Sequence, residues 1–120
     1  MIHLVGPGGA GKSTVGAELA ARLDSRFIDL DRQFMERAGD ISKWIDERGY
    51  AEYACKNVET YSSLQVDPPS YSIVALSSGF MTYPDDIHPK YQGLRSEIGS
   101  SPLTFVLLPS LDLEMCVAET

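Results

Sequence analysis

The 120-residue sequence predicts an α/β protein, a three-layer α/β/α arrangement around a mostly parallel sheet. Three observations lead there. Short apolar runs alternate with stretches of helical periodicity, the pattern of βα units. A glycine-rich segment, residues 6–11, joins the first apolar run to the first helical stretch. The run Tyr71-Ser72-Ile73-Val74-Ala75-Leu76 is almost continuously apolar, as a strand covered on both faces requires.

Residues 2–5 read as the first strand, and they pass straight into the glycine segment, unlike a signal peptide. Residues 13–23 follow as a helix, with Val15, Leu19 and Leu23 spaced for one helical face. Arg26-Phe27-Ile28-Asp29 is a second strand that ends on a carboxylate. Ile41, Trp44 and Ile45 share a helical face, with Asp40 or Ser42 to cap its start and Gly49 to end it. Residues 51–62 form another helix, with Ala54, Val58 and Tyr61 on a common side. After a turn at Asp67-Pro68-Pro69-Ser70 comes the strand at 71–76, and residues 104–108 form a second strand of the same covered kind. Between those strands, Tyr83-Pro84-Asp85-Asp86 opens a polar stretch that holds a short helix near 91–98. Ser110 can cap a last helix over 111–120. No repeat, linker or low-complexity segment divides the chain, so 1–120 is expected to be one domain.

Charge and composition exclude some functions. A formal charge of -7 argues against a nucleic-acid partner, which needs clustered Lys and Arg. No apolar run reaches the length of a membrane span, so no membrane partner is expected. Cys55 and Cys116 lack metal-ligand spacing and read as free thiols in a reducing compartment, with a disulfide as the alternative. A cytoplasmic location is expected. Oligomeric state is not readable.

The chemistry starts at Gly6-Pro7-Gly8-Gly9-Ala10-Gly11-Lys12-Ser13, whose spacing G-x-x-x-x-G-K-S is the Walker A signature. Glycines let the backbone curl until successive amides point at phosphate oxygens. The helix that follows adds its open N-terminal amides and positive dipole end. The nucleotide site is therefore assigned to Gly6, Gly8, Gly9, Ala10, Gly11, Lys12, Ser13 and Thr14. Lys12 is placed to reach the β- and γ-phosphates, and Ser13 to put its hydroxyl on Mg²⁺. This makes the fold a P-loop NTPase-type α/β/α fold, with ATP and Mg²⁺ as the implied cofactors.

Two further clusters fall at strand ends, where open α/β sheets bind ligands. In Asp29-Leu30-Asp31, alternation along an extended chain puts both carboxylates on one side. One can hold Mg²⁺ through water while the other takes a proton from a substrate hydroxyl. The bland alternative is a solvated acidic loop. Ser77-Ser78-Gly79 follows the strand at 71–76 and is either a plain turn or a polar surface for a small substrate. Tyr50, Tyr53, Tyr61 and Trp44 either line a pocket or are core or partly exposed helix surface.

Taken together, GPGGAGKST at 6–14, FIDLDRQFMERAGDISKWIDERG at 27–49 and IVALSSGFM at 73–81 resemble the shikimate kinase family. The resemblance implies transfer of the ATP γ-phosphoryl group to a hydroxyl of shikimate or a related metabolite. It gives Asp29 the Mg²⁺-associated role. It makes Asp31 the residue that holds the acceptor hydroxyls and assists the attacking one, so Lys12 and Asp31 become the catalytic pair. Asp31, Ser77, Ser78 and Gly79 become the acceptor-binding set, with Gly79 resembling the last glycine of the family's substrate loop.

The sequence departs from the family pattern in three places. Ala54 stands where the family has an arginine that clamps the substrate carboxylate, and Ser77 and Ser78 replace two glycines. The family's C-terminal lid and last strand are expected to be lacking. Shikimate is therefore expected to react slowly or not at all, and Ala54→Arg to improve its binding. A relative that binds ATP or ADP without turnover is the alternative. Arg48, Lys56 and Arg32 are candidate substitutes for the clamp.

Overall fold

The strands β1 (Ile2–Val5), β2 (Arg26–Asp29), β3 (Ser72–Ala75) and β4 (Thr104–Val106) form one parallel sheet in the order β2-β3-β1-β4. The computed structural model describes residues 1–7, 11–64 and 72–107. Gly8, Gly9, Ala10, the turn at 67–70, Tyr71, Leu108, the helix expected at 111–120 and Cys116 lie outside the described residues. Register pairs Ala75 with Leu4 on one side and with Asp29 on the other. The carboxyl ends of β1, β2 and β3 are therefore level at one edge, and the chain leaving each of them converges there.

Helix α1 (Lys12–Arg22) covers one face of the sheet, where Leu4, Ala20 and Ile73 pack with Phe27. The helices α2 (Leu30–Ala38), α4 (Tyr50–Ser62) and α5 (Tyr91–Ser100) supply the other layer. Their Leu30, Ala54, Val58, Tyr91 and Ile98 pack against Ile28 and Val74. Helix α3 (Ile41–Arg48) lies on α2 and α4. Alternation along β3 sends Ile73 to one layer and Val74 to the other, and both are fully buried. Each such side chain contributes about 1.5–3 kcal/mol of burial, so β3 anchors both layers.

Three sequence expectations are corrected. First, the buried face of α1 is Gly16 and Ala20, while Val15 and Leu23 are 40% and 52% exposed. The cause is a close approach: a Cβ on Gly16 would stand 2.3 Å from the Phe27 ring and 3.2 Å from Leu4. The helix seats on its small residues.

Second, residues after Asp29 do not continue extended. Asp29 caps α2 by accepting from the Asp31 amide at 3.1 Å, and Leu30 and Phe34, four apart, are buried. Third, β4 is not covered on both faces. Phe105 and Val106 are exposed, and among the described residues β4 pairs only with β1, at the sheet edge. The other expected elements that fall within the described residues are present, with Asp40 the residue that caps α3.

After β3 the chain makes a single 3₁₀ turn, Phe80–Thr82, which opens at Gly79 with φ 88°. The buried Tyr91 hydroxyl holds this segment: it donates to the Phe80 carbonyl at 2.6 Å and accepts from the Tyr83 amide at 3.0 Å.

Candidate functional site

The site is built where the level ends of β1, β2 and β3 meet the N-terminus of α1. Gly6 leaves β1 in a conformation open to glycine (φ 148°), and a Cβ there would lie 2.3 Å from the Leu107 carbonyl oxygen. Gly11 turns the chain into α1 in the left-handed region at φ 82°. Among the described residues no side chain caps that helix, whose first turn faces the cleft. Gly11, Lys12, Ser13 and Thr14 line one wall of a cavity of about 290 Å³. Asp29, Asp31, Ala75, Leu76 and Ser78 line the rest. The P-loop helix start and both aspartates therefore share one cleft.

Within it, Lys12 Nζ donates to the carbonyls of Gly6 at 2.6 Å and Pro7 at 3.0 Å. Burial pushes the Lys12 ammonium below its usual pKa, with Asp31 and Asp29 pulling the other way. Ser13 Oγ donates to Asp29 Oδ2 at 2.8 Å, which joins the P-loop to the end of β2. Asp29 Oδ1 accepts from the Asp31 amide. Asp31 reaches the cleft from the first turn of α2, so the two carboxylates share it through a helix cap and not through strand alternation. Asp31 Oδ1 in turn accepts from Ser77 Oγ at 2.5 Å.

Of the Ser77-Ser78-Gly79 segment, Ser78 lines the cleft, whereas Ser77 is only 5% exposed and its hydroxyl is spent on Asp31. Gly79 lies behind Tyr50, whose hydroxyl would stand 3.2 Å from a Cβ on that glycine.

Sequence reasoning missed the residue behind Ser77. Asn57, fully buried on α4, donates through Nδ2 to Ser77 Oγ at 3.0 Å, with the Tyr83 and Tyr53 hydroxyls at 3.1 and 3.4 Å. Both hydroxyls accept from Asn57 Nδ2, and burial raises the pKa of both phenols, so they stay neutral. The available signal was an asparagine on the apolar stripe of α4, between Ala54 and Val58. Tyr53 belongs to the core, Trp44 and Tyr61 are half-buried, and Tyr50 is exposed.

Ala54 is 0% exposed inside the cluster of Leu30, Val58, Val74 and Phe80. Among the candidate clamps, Arg48 stacks 4.1 Å over the Trp44 ring and Lys56 Nζ lies 3.8 Å from Glu59. Arg32 is exposed on α2.

A protein-family model described as shikimate kinase matches residues 8–88. The chain belongs to the shikimate kinase family. Shikimate kinase 2 of Enterobacter sp. (strain 638) is 36% identical over 81 residues, which cover 67% of this chain and 45% of that protein. The shikimate kinase of Acinetobacter baylyi is 36% identical over 83 residues, covering 69% and 46%. The chain thus spans less than half the length of these curated relatives. Among solved structures, shikimate kinase from Bacteroides thetaiotaomicron superposes with a TM-score of 0.67 at 24% identity, over 89% of this chain and 56% of that one. Shikimate kinase from Acinetobacter baumannii in complex with shikimate gives 0.64 at 25% identity, over 96% and 59%. The shikimate kinase fold accounts for the parallel sheet and the helices on both its faces. No helix among the described residues is long and apolar enough to cross a membrane.

Proposed function

We propose that residues 1–120 form a single P-loop kinase domain that transfers the γ-phosphoryl group of ATP to a hydroxyl of shikimate or a related small hydroxylated metabolite. The observation that carries this reading is the Lys12, Ser13, Asp29 and Asp31 constellation in one cleft at the carboxyl edge of the sheet. Family membership supports it. The P-loop residues, Gly6 and Gly8 to Thr14, hold the nucleotide phosphates. Lys12 exchanges its two carbonyl partners for phosphate oxygens.

Ser13 Oγ and Asp29 Oδ2 are hard oxygen donors 2.8 Å apart, a set that fits Mg²⁺, which prefers a few protein oxygens with water and phosphate completing its shell. Bound there, the ion would neutralise phosphate charge. Asp31 accepts the proton of the acceptor hydroxyl as that oxygen bonds to the γ-phosphorus. The bond from the γ-phosphorus to the β,γ-bridging oxygen breaks, and ADP leaves with the electron pair. Ser78 forms the acceptor-side wall. Partners are accordingly a nucleotide and a small metabolite, with neither nucleic acid nor membrane, and the cytoplasm supplies both substrates.

The buried methyl of Ala54 favours a second reading, in which the chain binds ATP or ADP without transferring phosphate to shikimate. A coupled ADP-release assay with Mg·ATP and shikimate separates the two. Slow release that depends on shikimate and vanishes in Asp31→Asn supports the kinase. Absence of any acceptor-dependent release across shikimate and related polyols supports the binding protein.

A further inference from the structure

We infer that Ser77 and Asn57 are positioning residues that aim the Asp31 carboxylate at the acceptor. For its kinetic consequence the inference rests on the kinase reading; the geometry stands without it. Asp31 is fixed at two points. Its backbone amide is tied to Asp29 Oδ1 at 3.1 Å, and its Oδ1 receives the Ser77 hydroxyl at 2.5 Å. Among the described residues no hydrogen bond occupies Oδ2, the oxygen left for the cleft that Asp31 lines.

The direction of the Ser77 proton is set from behind. Asn57 Nδ2 is a donor only, so its contact at 3.0 Å uses a lone pair of Ser77 Oγ and leaves the serine proton for Asp31. An ionised carboxylate is an acceptor only, so the chain of bonds has one sense, Asn57 to Ser77 to Asp31. Asn57 itself cannot swing away. It is fully buried on α4, it also donates toward the Tyr53 and Tyr83 hydroxyls, and its Oδ1 is buried with no partner among the described residues. A buried amide that leaves one atom unpaired is costly, and this one stands behind the serine that donates to Asp31. Where the family leaves bare glycine backbone, this chain has a side chain that orients its proton acceptor.

The test uses Ser77→Ala, Ser77→Thr and Asn57→Leu in the full chain, with two readouts. The first is the ¹³C carboxyl resonance of Asp31 together with the slowly exchanging Ser77 hydroxyl proton. In Ser77→Ala and Asn57→Leu the carboxyl carbon shifts and the hydroxyl proton is lost, while calorimetric Mg·ATP affinity stays at the wild-type value. Ser77→Thr, which keeps the hydroxyl, restores the carboxyl resonance.

The second readout is shikimate-dependent ADP release. Ser77→Ala lowers kcat by roughly tenfold to a hundredfold, the scale of a misaimed catalytic group, with KM for Mg·ATP unchanged. A purely structural role would lower the melting temperature without that split between kcat and KM. An unshifted Asp31 carbon in Ser77→Ala overturns the inference, as does a wild-type kcat. If the wild-type chain releases no ADP with shikimate, the kinase reading fails for that acceptor. The carboxyl resonance then decides the positioning claim alone, a shift sustaining it and no shift overturning it.

Discussion

Replacing Ala54 with arginine restores the residue type that the shikimate kinase pattern places there, and two opposed effects of similar size decide the outcome. A bidentate contact to an acceptor carboxylate would gain about 3 kcal/mol, close to two powers of ten in affinity. Against it stands the position itself. Ala54 is 0% exposed, enclosed by Leu30, Val58, Val74 and Phe80. An uncompensated buried charge costs about 3–5 kcal/mol, and overpacking adds a further ~1–3 kcal/mol. The total is comparable to the whole stability of many domains, about 5–15 kcal/mol. The structure therefore reverses the sequence-based expectation: Ala54→Arg destabilises the fold before it can help binding. For a chain of this length each kcal/mol moves Tm by roughly 4 °C, so a drop of more than ~15 °C is expected. Circular dichroism melts and a calorimetric titration of shikimate check it. A Tm within a few degrees of wild type, together with new shikimate affinity, would refute the reasoning, because the side chain would then have reached the cleft.

Asp29→Asn is expected to weaken Mg²⁺-dependent nucleotide binding, while Asp31→Asn leaves it intact and removes acceptor-dependent ADP release; equal effects in both assays would contradict the division. Gly16→Val should lower Tm, since even a Cβ meets Phe27 at 2.3 Å and overpacking costs about 1–3 kcal/mol. Burial holds His3 at a pKa of about 4, below its unfolded 6.5, with its Nε2 2.7 Å from the Tyr61 hydroxyl. Stability from the neutral ring is fully present above pH 6.5 and is lost as pH falls through that value toward about 4, a change of about 3 kcal/mol. Denaturant titrations of wild type and His3→Gln over that window would show the wild-type slope and its flattening in the variant.

Much of this architecture could be read from residue order. The strand β1, the helix that starts at Lys12, the capped α3, the α4 face and the buried β3 all follow from local signals: spacing, caps and apolar runs. What stayed hidden depends on contacts between distant residues. The buried stripe of α1 is glycine and alanine, which carry no hydrophobic periodicity, and Phe27 from β2 decides which stripe seats. Helix α2 was missed although Leu30 and Phe34 are four apart and Gly39 ends it, because Asp29-Leu30-Asp31 also fits an extended strand. Both aspartates were singled out, yet the cap that sets their relation was not. Asn57 and Ser77 lie 20 positions apart, and only the packing of α4 behind β3 brings them together.

The account depends most on Lys12, Ser13 and Asp29 forming a nucleotide site. Isothermal calorimetry of Mg·ATP against the folded chain tests it most directly. Saturable one-to-one binding is predicted, weaker when Mg²⁺ is chelated and reduced by about a hundredfold or more in Lys12→Ala, on the scale of about 3 kcal/mol for charge-assisted contacts. A well-folded wild-type chain that takes up no heat with Mg·ATP, or a Lys12→Ala variant that binds as tightly as wild type, would contradict it.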